Sequence, residues 1–92
     1  VTDESIVEHE FALIKVRATK RTRPEIVSVA EMHRSKVVDL GDEAVIVEAV
    51  GEPTEIDTLV ELLREFGIKE LVRTGSVVMS RGSGSIEEQV KR

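Results

Sequence analysis

Apolar positions recur along the chain with two spacings, near two residues and near 3.6, and each change of spacing marks a change of element. From His9 to Ala18, the run Phe11-Ala12-Leu13-Ile14-Lys15-Val16 is short, apolar and rich in branched side chains, which predicts a strand. Thr22-Arg23-Pro24-Glu25 follows, with Thr and Glu three apart as a capping box and Pro inside the first turn, where its missing N–H costs nothing. Ile26, Val29, Ala30 and His33 continue at helical spacing and predict a helix over 22–34. Lys36–Leu40 and Ala44–Val50 are two further strands, joined by a tight turn at Gly41-Asp42. Gly51 and Pro53 end that hairpin. Thr54-Glu55-Ile56-Asp57 opens a second helix with the stripe Ile56, Leu59, Val60 and Leu63, and Gly67 stops it. Ile68–Ser80 is extended, with a bulge or bend expected at Thr74-Gly75. Residues 1–8 read as a polar linker or arm, 9–82 as the domain and 83–92 as a flexible tail.

The order strand, helix, strand, strand, helix, strand predicts an α+β domain, the ferredoxin-like (ACT-like) βαββαβ sandwich. In it a four-stranded antiparallel sheet carries both helices on one face. Ala12, Ile14 and Val16 then share one side of the first strand, while Phe11, Leu13, Lys15 and Arg17 share the other. In the third strand Val45, Val47 and Ala49 oppose Ala44, Ile46 and Val50, so both sides are apolar. A half-exposed sheet should alternate apolar with polar. The surplus predicts that a second sheet, another domain or another chain covers the open face, with Phe11 and Leu13 as its candidate residues; a terminal segment folded over the sheet is the rival.

Length and charge narrow the function. A chain of 92 residues is one domain with a thin core. Its net charge of −5 and its only two aromatic residues, Phe11 and Phe66, speak against nucleic-acid binding. The sequence contains no cysteine, which excludes disulfides and thiolate metal sites. No apolar run approaches the roughly 20 residues that span a bilayer, and Val1-Thr2-Asp3-Glu4-Ser5 has no signal-peptide character. A cytoplasmic location is expected, or an organellar stroma or matrix in a eukaryote. Position 1 is Val and not Met, so a longer parent chain is expected.

Candidate chemistry is sparse. His9 and His33 are too few for a metal site and read as a surface residue and a satisfied core residue. The carboxylate pairs Glu8/Glu10, Asp42/Glu43 and Glu87/Glu88 read as solvated surface, without the cleft that acid–base catalysis requires. Gly82-Ser83-Gly84-Ser85 precedes no sustained apolar helix and is no phosphate cradle. Lys15, Arg17, Lys20, Arg21 and Arg23 are more pointed, because no acid interrupts them and two of them flank a helix N-terminus, where cations oppose the dipole. They are candidate contacts for an acidic partner or a phosphate-bearing ligand, with a solvated loop as the plain alternative. Arg73, Thr74 and Gly75 are the other candidates: a strand Arg beside a Gly bend presents its fork to a partner carboxylate or pairs with a neighbouring strand's acid.

Phe11–Val16, Lys36-Val37-Val38-Asp39, Phe66-Gly67-Ile68-Lys69-Glu70, Arg73-Thr74-Gly75 and Arg81-Gly82, in this order and spacing, resemble the carboxy-terminal domain of the acetolactate synthase small, regulatory subunit. The resemblance covers residues 4–82; His33, in place of a large apolar residue, and Glu65, in place of Pro, depart from it. It implies a non-catalytic chain without a cofactor of its own, a homodimer that binds and activates the large catalytic subunit in branched-chain amino acid biosynthesis. That partner would carry thiamine diphosphate, a divalent metal and FAD. Feedback-effector sites would lie in an amino-terminal ACT domain absent from these residues. The alternative is a free-standing ACT-like sensor of an amino acid or anion. An acylphosphatase-like hydrolase is disfavoured, because Ala18-Thr19-Lys20-Arg21-Thr22 has no Gly for a phosphate loop.

Overall fold

Six elements appear in the computed structural model, which describes residues 5–82: β1 (Ile6–Arg17), α1 (Arg23–Met32), β2 (Lys36–Leu40), β3 (Ala44–Gly51), α2 (Pro53–Arg64) and β4 (Ile68–Ser80). The strands pair antiparallel in the order β2-β3-β1-β4, the ferredoxin-like arrangement. Period two meets period 3.6 in the core. Ala12, Ile14 and Val16 of β1 and Val45, Val47 and Ala49 of β3 pack with Ile26 and Ala30 of α1 and with Ile56, Leu59, Val60 and Leu63 of α2, all buried.

Strand β1 begins earlier than its local sequence suggests. Ile6, Val7 and Glu8 lie opposite Ser80, Met79 and Val78, so these three residues belong to the sheet and not to a linker. Their partners stand at the far end of the chain, and no local period reports such pairing. Pairing of β1 with β3 starts only at Glu10–Gly51, so Ile6–His9 and Val77–Ser80 form a two-stranded ribbon beyond the helix-covered part. The tail expected at 83–92 lies outside the described residues.

The helix caps also differ from expectation. Thr22 precedes α1 without a side-chain cap bond to it. Thr19 N–H instead bonds Thr22 Oγ1 at 2.9 Å and Thr22 N–H bonds Thr19 Oγ1 at 3.1 Å, a reciprocal pair one turn earlier. Hydroxyls reach the backbone as easily as a Glu does, so the Thr19–Thr22 pair displaces the Thr22–Glu25 one. Helix α2 starts at Pro53, with the Glu55 carboxylate accepting the Glu52 N–H at 2.9 Å. Pro53 is thus its first helical residue and not only a strand breaker. Helix α1 ends in a Schellman turn, Ser35 N–H to Ala30 O at 2.8 Å and Arg34 N–H to Glu31 O at 3.1 Å, which forces Arg34 to a φ of 58°.

Candidate functional site

In antiparallel strands, residues opposite one another share a face, so the register defines the surface that the helices leave bare. Phe11, Leu13, Lys15 and Arg17 of β1 stand beside Val50, Glu48, Ile46 and Ala44 of β3. On the other flank Leu13 meets Val72, Lys15 meets Glu70, His9 meets Val77 and Val7 meets Met79. Lys36 and Asp39 of β2 complete the face opposite Glu48 and Ile46. Among the described residues five of its apolar members are open to solvent, Leu13 at 36%, Val50 57%, Val72 59%, Val77 68% and Met79 70%, whereas Phe11, Ile46 and Val7 are half-buried. Its charges cluster toward the other end and balance, Lys15, Arg17 and Lys36 against Asp39, Glu48 and Glu70. Lys15 Nζ meets Glu70 Oε1 at 2.8 Å, and that ammonium lowers the pKa of the Glu70 carboxyl.

Strand β4 turns Arg73 to the helix side. Its Nε and Nη2 donate to Glu10 Oε2 and Oε1 at 2.9 and 2.6 Å, and its Nη1 donates to Asp57 Oδ1 at 2.7 Å. Glu10 is only 5% exposed. The guanidinium holds its carboxyl below the ordinary carboxylate value against the opposing effect of desolvation, and the Arg73 proton is itself held more tightly, first by Glu10 and then by Asp57. Glu10 is therefore a buried structural carboxylate, which corrects its reading as solvated surface. Arg73 is spent on acids of its own chain. It does not offer a free fork to a partner.

Thr74 and Gly75 form the expected bulge: together they oppose Phe11, between the Glu10–Ser76 and Ala12–Arg73 pairs. Gly75 adopts a φ of 81°, and its N–H reaches Glu10 Oε2 at 3.2 Å. Thr74 Oγ1 accepts the Phe11 N–H at 3.1 Å, replacing a ladder bond. Gly75 thus serves the Arg73–Glu10 junction, while Thr74 holds the Phe11 backbone opposite the bulge.

The basic run divides. Lys15 is paired across strands, whereas Arg17, Lys20 and Arg21 are exposed and Arg23 is half-buried. Elsewhere a cleft of about 700 Å³ separates the end of α1 from the start of α2, lined by His33, Arg34, Ser35, Val50, Glu52 and Glu55 among others. His33 is half-buried beside α1, with Nδ1 3.0 Å from Val29 O, and His9 is exposed on the ribbon. Among the described residues no cluster of His, Asp and Glu could hold a metal, and no helix is long and apolar enough to cross a membrane.

Residues 9–82 match the profile of the family described as the small subunit of acetolactate synthase. The chain is 43% identical over 83 residues to the acetolactate synthase small subunit of Bacillus subtilis, covering 90% of this chain and 48% of that protein. It is 45% identical over 78 residues to the probable acetolactate synthase small subunit of Methanothermobacter thermautotrophicus, covering 84% and 46%. Its fold superposes on the crystal structure of the Thermotoga maritima acetolactate synthase small subunit with a TM-score of 0.80 at 36% identity, over 88% of this chain and 50% of that one. The chain thus spans about half the length of the relatives it matches, which are named as small subunits and not as the catalytic one. A βαββαβ domain with one bare sheet face, matched over nearly all its length, belongs to the acetolactate synthase small-subunit family.

Proposed function

We propose that the chain is a non-catalytic regulatory domain that dimerises through its bare sheet and binds the acetolactate synthase large subunit. In this reading it activates that subunit within branched-chain amino acid biosynthesis. Thiamine diphosphate, metal and FAD chemistry belongs to the large subunit, and this chain contributes contacts alone. The observation that carries the reading is the open face, where Leu13, Val50, Val72, Val77 and Met79 lie in water on a sheet whose other side already holds the core. Monomers rarely leave such a continuous apolar patch uncovered. Activation then requires that the domain contact one state of the large subunit more favourably than another.

The test titrates the chain into purified large subunit and follows acetolactate formation together with co-sedimentation. A stoichiometric complex with raised turnover supports the proposal. Absence of both association and activation would overturn it.

A further inference from the structure

Arg17, Lys20, Arg21 and Arg23 fall within seven residues, and among the described residues none of them forms an ion pair. Acids are near. Ala18 N–H bonds the Glu43 carbonyl at 2.9 Å, and Glu25 lies in the first turn of α1, yet neither carboxylate pairs with these cations. Local stability does not explain the cluster, because Arg23 is the first residue of α1, where positive charge opposes the helix dipole. The turn that carries it is firmly built. The reciprocal Thr19–Thr22 bonds and the bond from Arg23 N–H to Thr19 O at 2.9 Å set Lys20 and Arg21 at an exposed apex. A turn fixed beforehand loses little entropy on docking. Beneath it, Arg23 is half-buried and its buried Nε finds no acceptor among the described residues. Buried guanidinium N–H groups normally have one, and a carboxylate is their best match.

We infer that the β1–α1 turn, with Lys20 and Arg21 at its apex and Arg17 and Arg23 at its base, docks an acidic protein surface. The inference rests on the proposed function and adds which surface meets the partner and with what charge. A small phosphate ligand fits less well, since such ligands take concave sites where donors converge. Here the cations crown an exposed turn, and the cleft between α1 and α2 is lined by other residues. Leaving out Arg17, which belongs to the turn, the open face carries Lys15 and Lys36 against Asp39, Glu48 and Glu70, a mixed surface that suits a second copy. The turn is the complement for a charged stranger.

The experiment measures binding of the chain to purified large subunit by surface plasmon resonance at several salt concentrations. Wild type is compared with Lys20→Gln/Arg21→Gln and with Lys20→Glu/Arg21→Glu. Both positions are exposed, and circular dichroism verifies that the fold is kept. The charge-reversed pair should associate about tenfold more slowly with a flatter salt dependence, and the neutral pair should fall between. Equal rates and equal salt slopes for all three would overturn the inference and leave the proposed function standing. Failure of wild type to bind at all would overturn both. Tight binding of inorganic triphosphate to the free chain, lost on charge reversal, would reassign the turn to a phosphate ligand and also overturn the inference.

Discussion

Arg73 of β4 holds both carboxylate oxygens of Glu10 on β1, at 2.9 and 2.6 Å, and with its remaining arm reaches Asp57 of α2 at 2.7 Å. One side chain therefore ties the second helix to the two strands where the ribbon leaves the helix-covered body. Removing only the cation would strand a buried carboxylate, which costs more than losing a pair. Arg73→Met should lower the thermal midpoint by several degrees, and adding Glu10→Leu should recover part of the loss. Differential scanning calorimetry of the single and double variants measures the coupling, and simple additivity would refute it.

The same pair predicts a dependence on pH. In the folded chain Glu10 titrates below its ordinary 4.5, chiefly because Arg73 donates to it. A depressed carboxylate stabilises the fold above its unfolded pKa, and that contribution disappears as the pH falls through the folded value. In Arg73→Met the buried carboxyl loses its cation and its pKa rises, so acidification relieves the penalty instead. The midpoint gap between wild type and Arg73→Met should narrow as the pH drops below about 4.5. A gap that stays constant from pH 7 to pH 3 would contradict this assignment.

Arg34 occupies a left-handed conformation, φ 58°, that favours glycine, at the position after the cap of α1. Arg34→Gly removes that strain and keeps both Schellman bonds, so it should stabilise the chain by about 0.5–1 kcal/mol. For a domain of this size that is a rise in midpoint of roughly 2–8 °C. An unchanged or lowered midpoint would show that the Arg side chain makes a compensating contact.

Gly75 is the converse case. Its φ is 81°, and among the described residues a Cβ there would meet no atom within 4 Å, so backbone conformation decides the cost. Gly75→Ala should destabilise by about 1 kcal/mol, and Gly75→Asn by less, since Asn tolerates this region. Denaturant titration of the two variants separates strain from crowding; equal costs would contradict a purely conformational origin.

Much of this was legible in the residues, and the failures share a cause. Branched runs and the stripe Ile56, Leu59, Val60 and Leu63 report local preference plus burial, so the element order and the core faces could be read directly. Thr74-Gly75 announced its bulge through the glycine. The start of β1 and the Thr19–Thr22 cap depended on partners or competing hydrogen bonds that a period does not encode. Glu10 shares the phase of Ala12, Ile14 and Val16, a signal that it faces inward, but its charge argued for solvent. Only Arg73, distant in sequence and adjacent across the sheet, resolves that conflict. Among candidate contacts, exposure at Leu13 follows from strand alternation, whereas the engagement of Arg73 follows from tertiary structure alone.

Sedimentation equilibrium over a wide concentration range bears most directly on the bare sheet. Val72, beside Leu13 in the middle of that face, is the position to perturb. The wild-type chain should sediment as a dimer, while Val72→Glu, which places a charge in the buried contact, should weaken association more than about tenfold and yield a folded monomer. A wild-type chain that stays monomeric at the highest concentration, with Val72→Glu indistinguishable from it, would contradict the account.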